Sequence, residues 1–407
     1  MSGMPSRRAA TLRENDTVMP LELFFDLVFV LALTQSTALM AHHPSWEGVA
    51  QGMLVLSVMW WSWTGYSWLT SVVDPEDETV RIALATAIAA LVVCSLCIPQ
   101  AFGDDGLMFA IAYGFVRAMH IVLFVHASGD KPGLRKSAVQ FGLAAAMGCG
   151  LLIAASQTDG ALQAALWVAA VVADFGGALA ADSEGWELQP HHFAERHGLI
   201  IIIALGESIV ALGAGAEGEA ITTGVIGVAV LGALLSFALW WLYFDVSAEM
   251  AGKRLSEAPR GMAQNQAARD AYSYFHLPMV AGIVLLALGL KKSIGHFDEP
   301  LKLVPAFALF GGLALYLLGH VGTRWRIVST MDRVKYPAAR AINTERVVFA
   351  LIFLALIPLT RGFDAIVLVA IALVVVTILI LLEVRRQGDF RRNVRAEIGG
   401  HGGAREA

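Results

Sequence analysis

The sequence predicts an all-α fold: a polytopic transmembrane helical bundle of about twelve spans, built as two parallel six-helix repeats. Three observations predict it. Of 407 residues, 57% are hydrophobic and 15% are charged, where a soluble domain of this length carries about 25% charge. The charges gather in short connections, leaving apolar runs of ~20 residues, the length that crosses ~30 Å of hydrocarbon. Two short patterns also recur at nearly equal offsets. Ala32-Leu33-Thr34-Gln35-Ser36 is matched by Ala204-Leu205-Gly206-Glu207-Ser208, and Trp60-Trp61-Ser62-Trp63 by Trp240-Trp241-Leu242-Tyr243. The net charge of −5 says little, because in a membrane protein the place of each charge matters more than the sum.

The spans read 20–41, 47–73, 80–101, 105–127, 134–155, 161–182, 192–214, 220–247, 271–292, 301–322, 344–361 and 363–384. Residues 1–19 form a cytoplasmic N-terminal segment, 20–184 the first six-helix repeat, 185–385 the second, and 386–407 a basic cytoplasmic tail. The first apolar run lacks an Ala-x-Ala exit, so it is expected to stay as an anchor. Gly, Pro and acidic residues punctuate the connections, as at Asp74-Pro75-Glu76-Asp77. The longest, 248–270 and 323–343, are too short for a soluble domain. With the N-terminus inside, Lys291, Lys292, Lys302 and Arg361 fall outside and Arg117 lies mid-span. The rest of the 29 basic residues fall on the cytoplasmic side, as the positive-inside rule requires. The expected location is the bacterial cytoplasmic (inner) membrane, multi-pass, with both termini cytoplasmic.

An ionisable side chain inside a span costs roughly 2.5–3.5 kcal/mol or more, so it faces the bundle interior and finds partners. The first span carries Glu22 near its entry and Asp26 about six residues in, roughly 9 Å deep at 1.5 Å per residue. The second carries Trp60, Trp61, Trp63, Tyr66 and Trp68, read as an aromatic belt with a substrate-lining role as the alternative. In the third, Cys94 and Cys97 have CxxC spacing. No second pair or nearby histidine supports metal or redox work, so they read with Cys149 as small packing residues. The fourth span carries Arg117 and His120, three residues apart and hence on one face, at the level of Asp26. Asp174 in the sixth span and His276 in the ninth fall at similar depth. Glu195, Arg196 and His197 enter the seventh just below. A polar cluster in the cytoplasmic half is expected, with Asp26 paired to Arg117 or His120 and Glu22 served by water or Arg196. The same charges could instead be a structural ion-pair network that transports nothing.

Glu207 sits in the outer half of the seventh span among apolar neighbours. It could bind a proton or cation, or stay protonated and hydrogen-bond the carboxamide of Gln35, its counterpart in the first repeat. Trp240, Trp241 and Tyr243 in the eighth span read as interfacial. Pro99, Pro278, Pro305 and Pro358 are expected to kink helices. Gly142, Gly148, Gly150, Gly176, Gly177, Gly311 and Gly312 are expected to allow close helix approach. His42-His43 and His191-His192 are poor metal sites, because adjacent residues point to different helix faces. Nothing forms a Ser/His/Asp set, a zinc site or a dinucleotide fingerprint. No enzyme, cofactor or metal is therefore expected, and an enzyme acting on lipid ranks third among the functions.

The run Leu21-Glu22-Leu23-Phe24-Phe25-Asp26-Leu27-Val28-Phe29-Val30 resembles the opening signature of the bacterial low-temperature-requirement A (LtrA) family. So do Glu195-Arg196-His197-Gly198-Leu199 with Ala204-Leu205-Gly206-Glu207-Ser208, and Tyr274-Phe275-His276-Leu277-Pro278. The family usually has an aromatic residue where His197 stands. The resemblance implies a polytopic bacterial inner-membrane protein and supplies no substrate. Phe25-Asp26 followed by an apolar run and Thr34 is also similar to the first helix of a six-span potassium channel family that occurs duplicated, with Phe25 in place of the motif's serine. That is fold-level analogy only.

The function expected is a secondary transporter or ion-conducting protein. Asp26, Arg117 and His120 would form a gating or coupling network and Glu207 an ion or proton site. The alternative is a non-transporting sensor, scaffold or stress-adaptation protein. The partners expected are the lipid bilayer and a small ion or solute, with a homo-oligomer left open. No nucleic acid is expected, since the arginine-rich tail suits anionic lipid.

Overall fold

The computed structural model describes residues 17–129, 131–180, 186, 188–245, 247–329 and 342–386. Residues 1–16 of the N-terminal segment, the tail from 387, and the basic residues Arg333, Lys335 and Arg340 lie outside them. The helices are α1 (Pro20–His42), α2 (Trp46–Thr70), α3 (Glu78–Cys97), α4 (Gly106–Ser128), α5 (Pro132–Ala155), α6 (Gly160–Ala180) and α7 (Pro190–Ala216). They continue as α8 (Thr223–Phe244), α9 (Ser247–Glu257), α10 (Met262–Ala268), α11 (His276–Ile294), α12 (Leu303–Val328), α13 (Ile342–Leu356) and α14 (Ala365–Arg386). A π-helical turn, Arg269–Tyr274, joins α10 to α11. Among the described residues there is no strand, only an isolated bridge between Pro300 and Asp364.

Among the described residues, eleven segments are long and apolar enough to cross a membrane. Of the twelve expected spans, α2 is the exception. It has 25 residues, long enough to cross, but it is studded with Ser, Thr and Trp. The reason is its position. Nearly every side chain from Val55 to Thr70 is buried, so α2 meets protein rather than lipid and need not be apolar all round. Elsewhere the outward faces carry the hydrophobic residues: Ile82, Val122, Leu143, Leu162 and Val172 are exposed, whereas Glu22, Asp26, Arg117, Asp174 and Arg196 are buried. Polar groups inside and apolar groups outside are what a lipid solvent selects.

The chain divides into two compact units. The first holds residues 1–36, 50–196 and 259–266, the second 37–49, 197–258 and 267–407. The division falls inside α7, between Arg196 and His197.

In the first unit α2 is the hub. Trp63 reaches α1, donating to Asp26 Oδ1 at 2.8 Å. Met59 meets Cys94 of α3, sulfur to sulfur at 3.6 Å. Tyr66 donates to the Val116 carbonyl of α4 at 2.9 Å. Trp61 stacks on Phe175 of α6 and packs near Phe141 of α5, and Trp68 packs on Phe193 of α7. The expected aromatic belt is therefore corrected: Trp60, Trp61, Trp63 and Tyr66 are at most 2% exposed and serve as the packing core of the unit. Around them α3, α4, α5 and α6 pack in chain order, as short connections dictate. At Gly177 the α5 and α6 backbones come so close that a Cβ would lie 2.2 Å from that of Ala144.

The second unit is built on α11 and α12. A Cβ at Gly282 would lie 2.5 Å from the Gly312 carbonyl, and one at Gly312 would lie 2.6 Å from the Gly282 carbonyl. The two helices therefore touch backbone to backbone. Gly150 and Gly176, by contrast, have nothing within 4 Å of a notional Cβ, so neither marks a close approach. The expected proline kinks are also corrected. Pro99 and Pro358 lie in 3-10 turns that end α3 and α13. Pro305 stands in the first turn of α12, where the missing N–H breaks no helical bond. Pro278 follows the π-turn inside the continuous helical run from Met262 to Ile294, so the irregularity there is a π-turn.

Residues 248–270, read as a bare connection, contain α9 and α10. Met250, Ala251 and Leu255 put one face of α9 inside the second unit. The helix is short and mostly polar, so it gives no span signal.

Candidate functional site

In the first unit, α1 and α7 meet at a buried ionic cluster. Glu22 and Asp26 are one turn apart on α1, and His192 and Arg196 one turn apart on α7, so each pair shares a helix face. Arg196 grips Asp26 with two donors, Nε to Oδ2 at 3.2 Å and Nη2 to Oδ1 at 2.5 Å. Its Nη1 donates to Glu22 Oε1 at 3.0 Å and to Thr70 Oγ1 at 2.9 Å. His192 Nε2 lies 2.8 Å from the same Glu22 oxygen, and its Nδ1 lies 3.2 Å from Ser71 Oγ. The Met19 N–H donates to Glu22 Oε2 at 2.9 Å. All four ionisable side chains are at most 1% exposed, where a charge is sustained only by such pairing.

A second cluster joins α4 to α6. Tyr113 donates to Asp174 Oδ2 at 2.7 Å, and Arg117 Nη2 to Asp174 Oδ1 at 3.1 Å. Arg117 also lies 5.0 Å over the Phe141 ring. Its Nε and Nη1 have no hydrogen-bond partner among the described residues. His120 packs between Tyr66, Phe124 and Phe141. A Cβ at Gly65 would lie 2.7 Å from its Cε1, so the glycine makes room for the ring.

The single cluster expected from depth is thus two. Asp26 pairs with Arg196, not with Arg117 or His120, because α2 stands between α1 and α4. Tyr66 packs on Phe25 of α1 on one side and on His120 of α4 on the other. Of the other expected residues, Glu195 is exposed and accepts the Val18 N–H at 3.3 Å. Gln35 is half-buried in the first unit. Glu207 is 1% exposed and belongs to the second. His276 also belongs to the second unit: its Nε2 lies 2.9 Å from Tyr243 Oη, and its ring packs on those of His197 and Tyr272.

The second unit has its own buried pair, which sequence reading missed. Arg346 of α13 binds Glu383 of α14 through Nε at 2.6 Å and Nη2 at 2.9 Å, and approaches His320 Nδ1 of α12 at 2.5 Å. Arg324 of α12 donates to Ser247 Oγ at 2.9 Å. Arg196, Arg324 and Arg346 count in the sequence as cytoplasmic loop or entry cations, yet each is at most 5% exposed. His192, discarded as a metal ligand, had one signal in its favour: it lies four residues before Arg196 and so on the same face. Among the described residues no group of His, Cys, Asp and Glu could hold a metal, and Cys94, Cys97 and Cys149 are unbridged.

Ion pairs sealed inside helices whose outer faces are apolar define a multi-pass membrane protein. The chain belongs to the bacterial low temperature requirement A protein (LtrA) family, whose model matches residues 17–381. An uncharacterized protein of Rhizobium meliloti (strain 1021) is 29% identical over 315 residues, covering 75% of each chain. No solved structure matches. Two of the stretches that resemble the family, 21–30 and 195–199, supply Glu22, Asp26 and Arg196, and these meet in one cluster.

Proposed function

We propose that the chain is a secondary transporter or ion-conducting protein of the bacterial cytoplasmic membrane, and that the Glu22–Asp26–His192–Arg196 cluster is its proton-handling or gating element. The chemistry of the cluster carries this reading: two carboxylates, an arginine and a histidine share hydrogen bonds inside helices whose outer faces are apolar. A change of protonation at Glu22 or His192 alters the bonds that hold α1 to α7, which couples protonation to the packing of the two helices. Intramembrane carboxylate and histidine chains commonly serve as proton relays. In this reading Arg117, His120 and Asp174 form a neighbouring gating network. Glu207 and Gln35 are unequal counterparts in two parallel repeats, both termini are cytoplasmic, and the protein is not an enzyme.

A non-transporting sensor, scaffold or stress-adaptation protein is the second reading. What favours it is the two-donor grip of Arg196 on Asp26, which by itself is a lock between helices.

The test is purified protein in liposomes, with proton, cation and anion gradients imposed and internal pH followed by a dye. The expected result is flux in the parent that His192→Gln loses, while the variant still accumulates and keeps its unfolding midpoint. A folded parent without flux across the panel, with His192→Gln and Glu207→Gln behaving like it, would sink the transport reading and leave the lock.

A further inference from the structure

We propose that a recess in the second unit, between the π-turn before α11 and the C-terminal half of α12, binds a small monovalent anion of the size of chloride or nitrate. The site goes beyond the proton element described above and stands whether or not the chain transports.

The recess is narrow and partly open, with room for one small ligand, and its walls include Tyr243, Tyr272, His276, His320 and Arg324. The π-turn shapes it. A π-turn widens a helix and is frequent at functional sites. Here the Phe275 N–H reaches back to the Asp270 carbonyl at 3.2 Å, and the Ala271 carbonyl takes side-chain donors instead. Thr323 donates to it at 3.0 Å, and His276 Nδ1 lies 2.9 Å away. A carbonyl can only accept, so His276 carries a proton on Nδ1, and its Nε2 shares a hydrogen bond with the Tyr243 hydroxyl. The ring of His276 is thereby held in one orientation.

His320 is arranged differently. Arg346 can only donate, and its Nη1 faces His320 Nδ1, so the ring proton sits on Nε2. That Nε2 has no partner among the described residues, and neither do Nε and Nη1 of Arg324. Both side chains are at least nine-tenths buried, at 2% and 5% exposure, and both line the recess. The groups left unmatched on these two residues are therefore N–H donors, which call for an acceptor-only ligand.

The charges agree. Glu383 is bound at close range by Arg346 and lies 3.8 Å from Arg324 Nη1. Glu345, the next carboxylate, is held by Arg386, and Asp270 by Arg269 and Arg326. Arg346 and Arg324 thus share the one carboxylate of Glu383, leaving one positive charge in excess, and a single negative charge balances it. Met250, Met279 and Ile327 add apolar surface to the walls. An apolar wall suits a weakly hydrated monovalent anion over sulfate or phosphate, whose desolvation costs more. A water could fill the space but would bring no charge.

Thermal unfolding of the full-length protein in detergent tests this, with sodium chloride or nitrate replacing gluconate at constant ionic strength. Ligand that binds only the folded state raises the midpoint by mass action. The parent is expected to show a saturable rise with chloride and with nitrate. Arg324→Gln should abolish it, while Arg326→Gln, outside the recess, should keep it. If Arg324→Gln does not fold, His320→Gln should raise the half-saturating concentration about tenfold, the loss expected for a hydrogen bond to a charged ligand. A parent midpoint indifferent to chloride and nitrate overturns the proposal, the recess then holding water. A rise that survives both Arg324→Gln and His320→Gln overturns the placement. Liposome flux is read separately: binding without flux removes the transport reading and keeps the site, and flux without binding does the reverse.

Discussion

Arg196 gathers Asp26, Glu22 and Thr70 into one donor array, and that array is the most vulnerable point of the first unit. Removing one member of a buried ion pair leaves the other uncompensated, at a cost of about 3–5 kcal/mol. Asp26→Asn is therefore expected to lower unfolding stability by that order, read by denaturant titration in micelles. Tyr113→Phe should cost only about 1–2 kcal/mol, since Asp174 keeps its bond from Arg117. Equal losses in the two variants would refute the ranking. At this scale the sequence was half legible. That Asp26, Arg117, Asp174 and Arg196 had to be buried follows from their apolar context. Which cation meets which carboxylate does not, because depth along a helix says nothing of the helix order around a bundle. Tyr113 and Trp63 were invisible as hydrogen-bond donors for a related reason: an aromatic in a span reads as apolar until a carboxylate is placed beside it.

The two hub elements, α2 and the α11–α12 pair, achieve burial by different chemistry. Helix α2 fills its surroundings with Trp and Tyr, whereas α11 and α12 remove side chains so that the backbones touch. The glycine contact predicts a sharp size dependence. Gly282→Ala places a methyl group 2.5 Å from the Gly312 carbonyl, and Gly282→Leu adds three more carbons to a gap that does not exist. Overpacking of this kind costs about 1–3 kcal/mol. The expected outcome is reduced accumulation of Gly282→Ala, near absence of Gly282→Leu, and little effect of Gly176→Ala, where nothing lies within 4 Å. Quantitative blotting of membrane fractions reads all three. Helix α9 shows the converse limit of reading by pattern. A short amphipathic helix between spans looks like a loop, and only its packing against the second unit makes Ser247 available to Arg324.

At the scale of the whole molecule, the orientation remains the most direct prediction. Fusions of a cytoplasm-reporting fluorescent protein and of alkaline phosphatase to residues 1 and 407 should give fluorescence and no phosphatase activity at both ends. The same phosphatase placed after residue 297, in a connection read as external, should be active. An active phosphatase at either terminus would contradict an even number of spans with both ends inside. Arg196, Arg324 and Arg346 sharpen what the charge bias means. They lie near span ends and are counted among the cations expected on the cytoplasmic side, yet their neighbours are carboxylates. Cations placed by internal pairing therefore enter the same count as those placed by the membrane.

Composition, run length and the spacing of connections were enough to determine a many-helix membrane protein and the position of nearly every span. Each helix satisfies its own backbone hydrogen bonds and must match the thickness of the bilayer, and both constraints are local. The division of the buried charges into separate clusters, the central place of α2, the π-turn and the recess beside it were decided only by tertiary structure. Those features depend on which helix faces meet, and a helix in lipid carries little in its own sequence to say which neighbour its polar face will find.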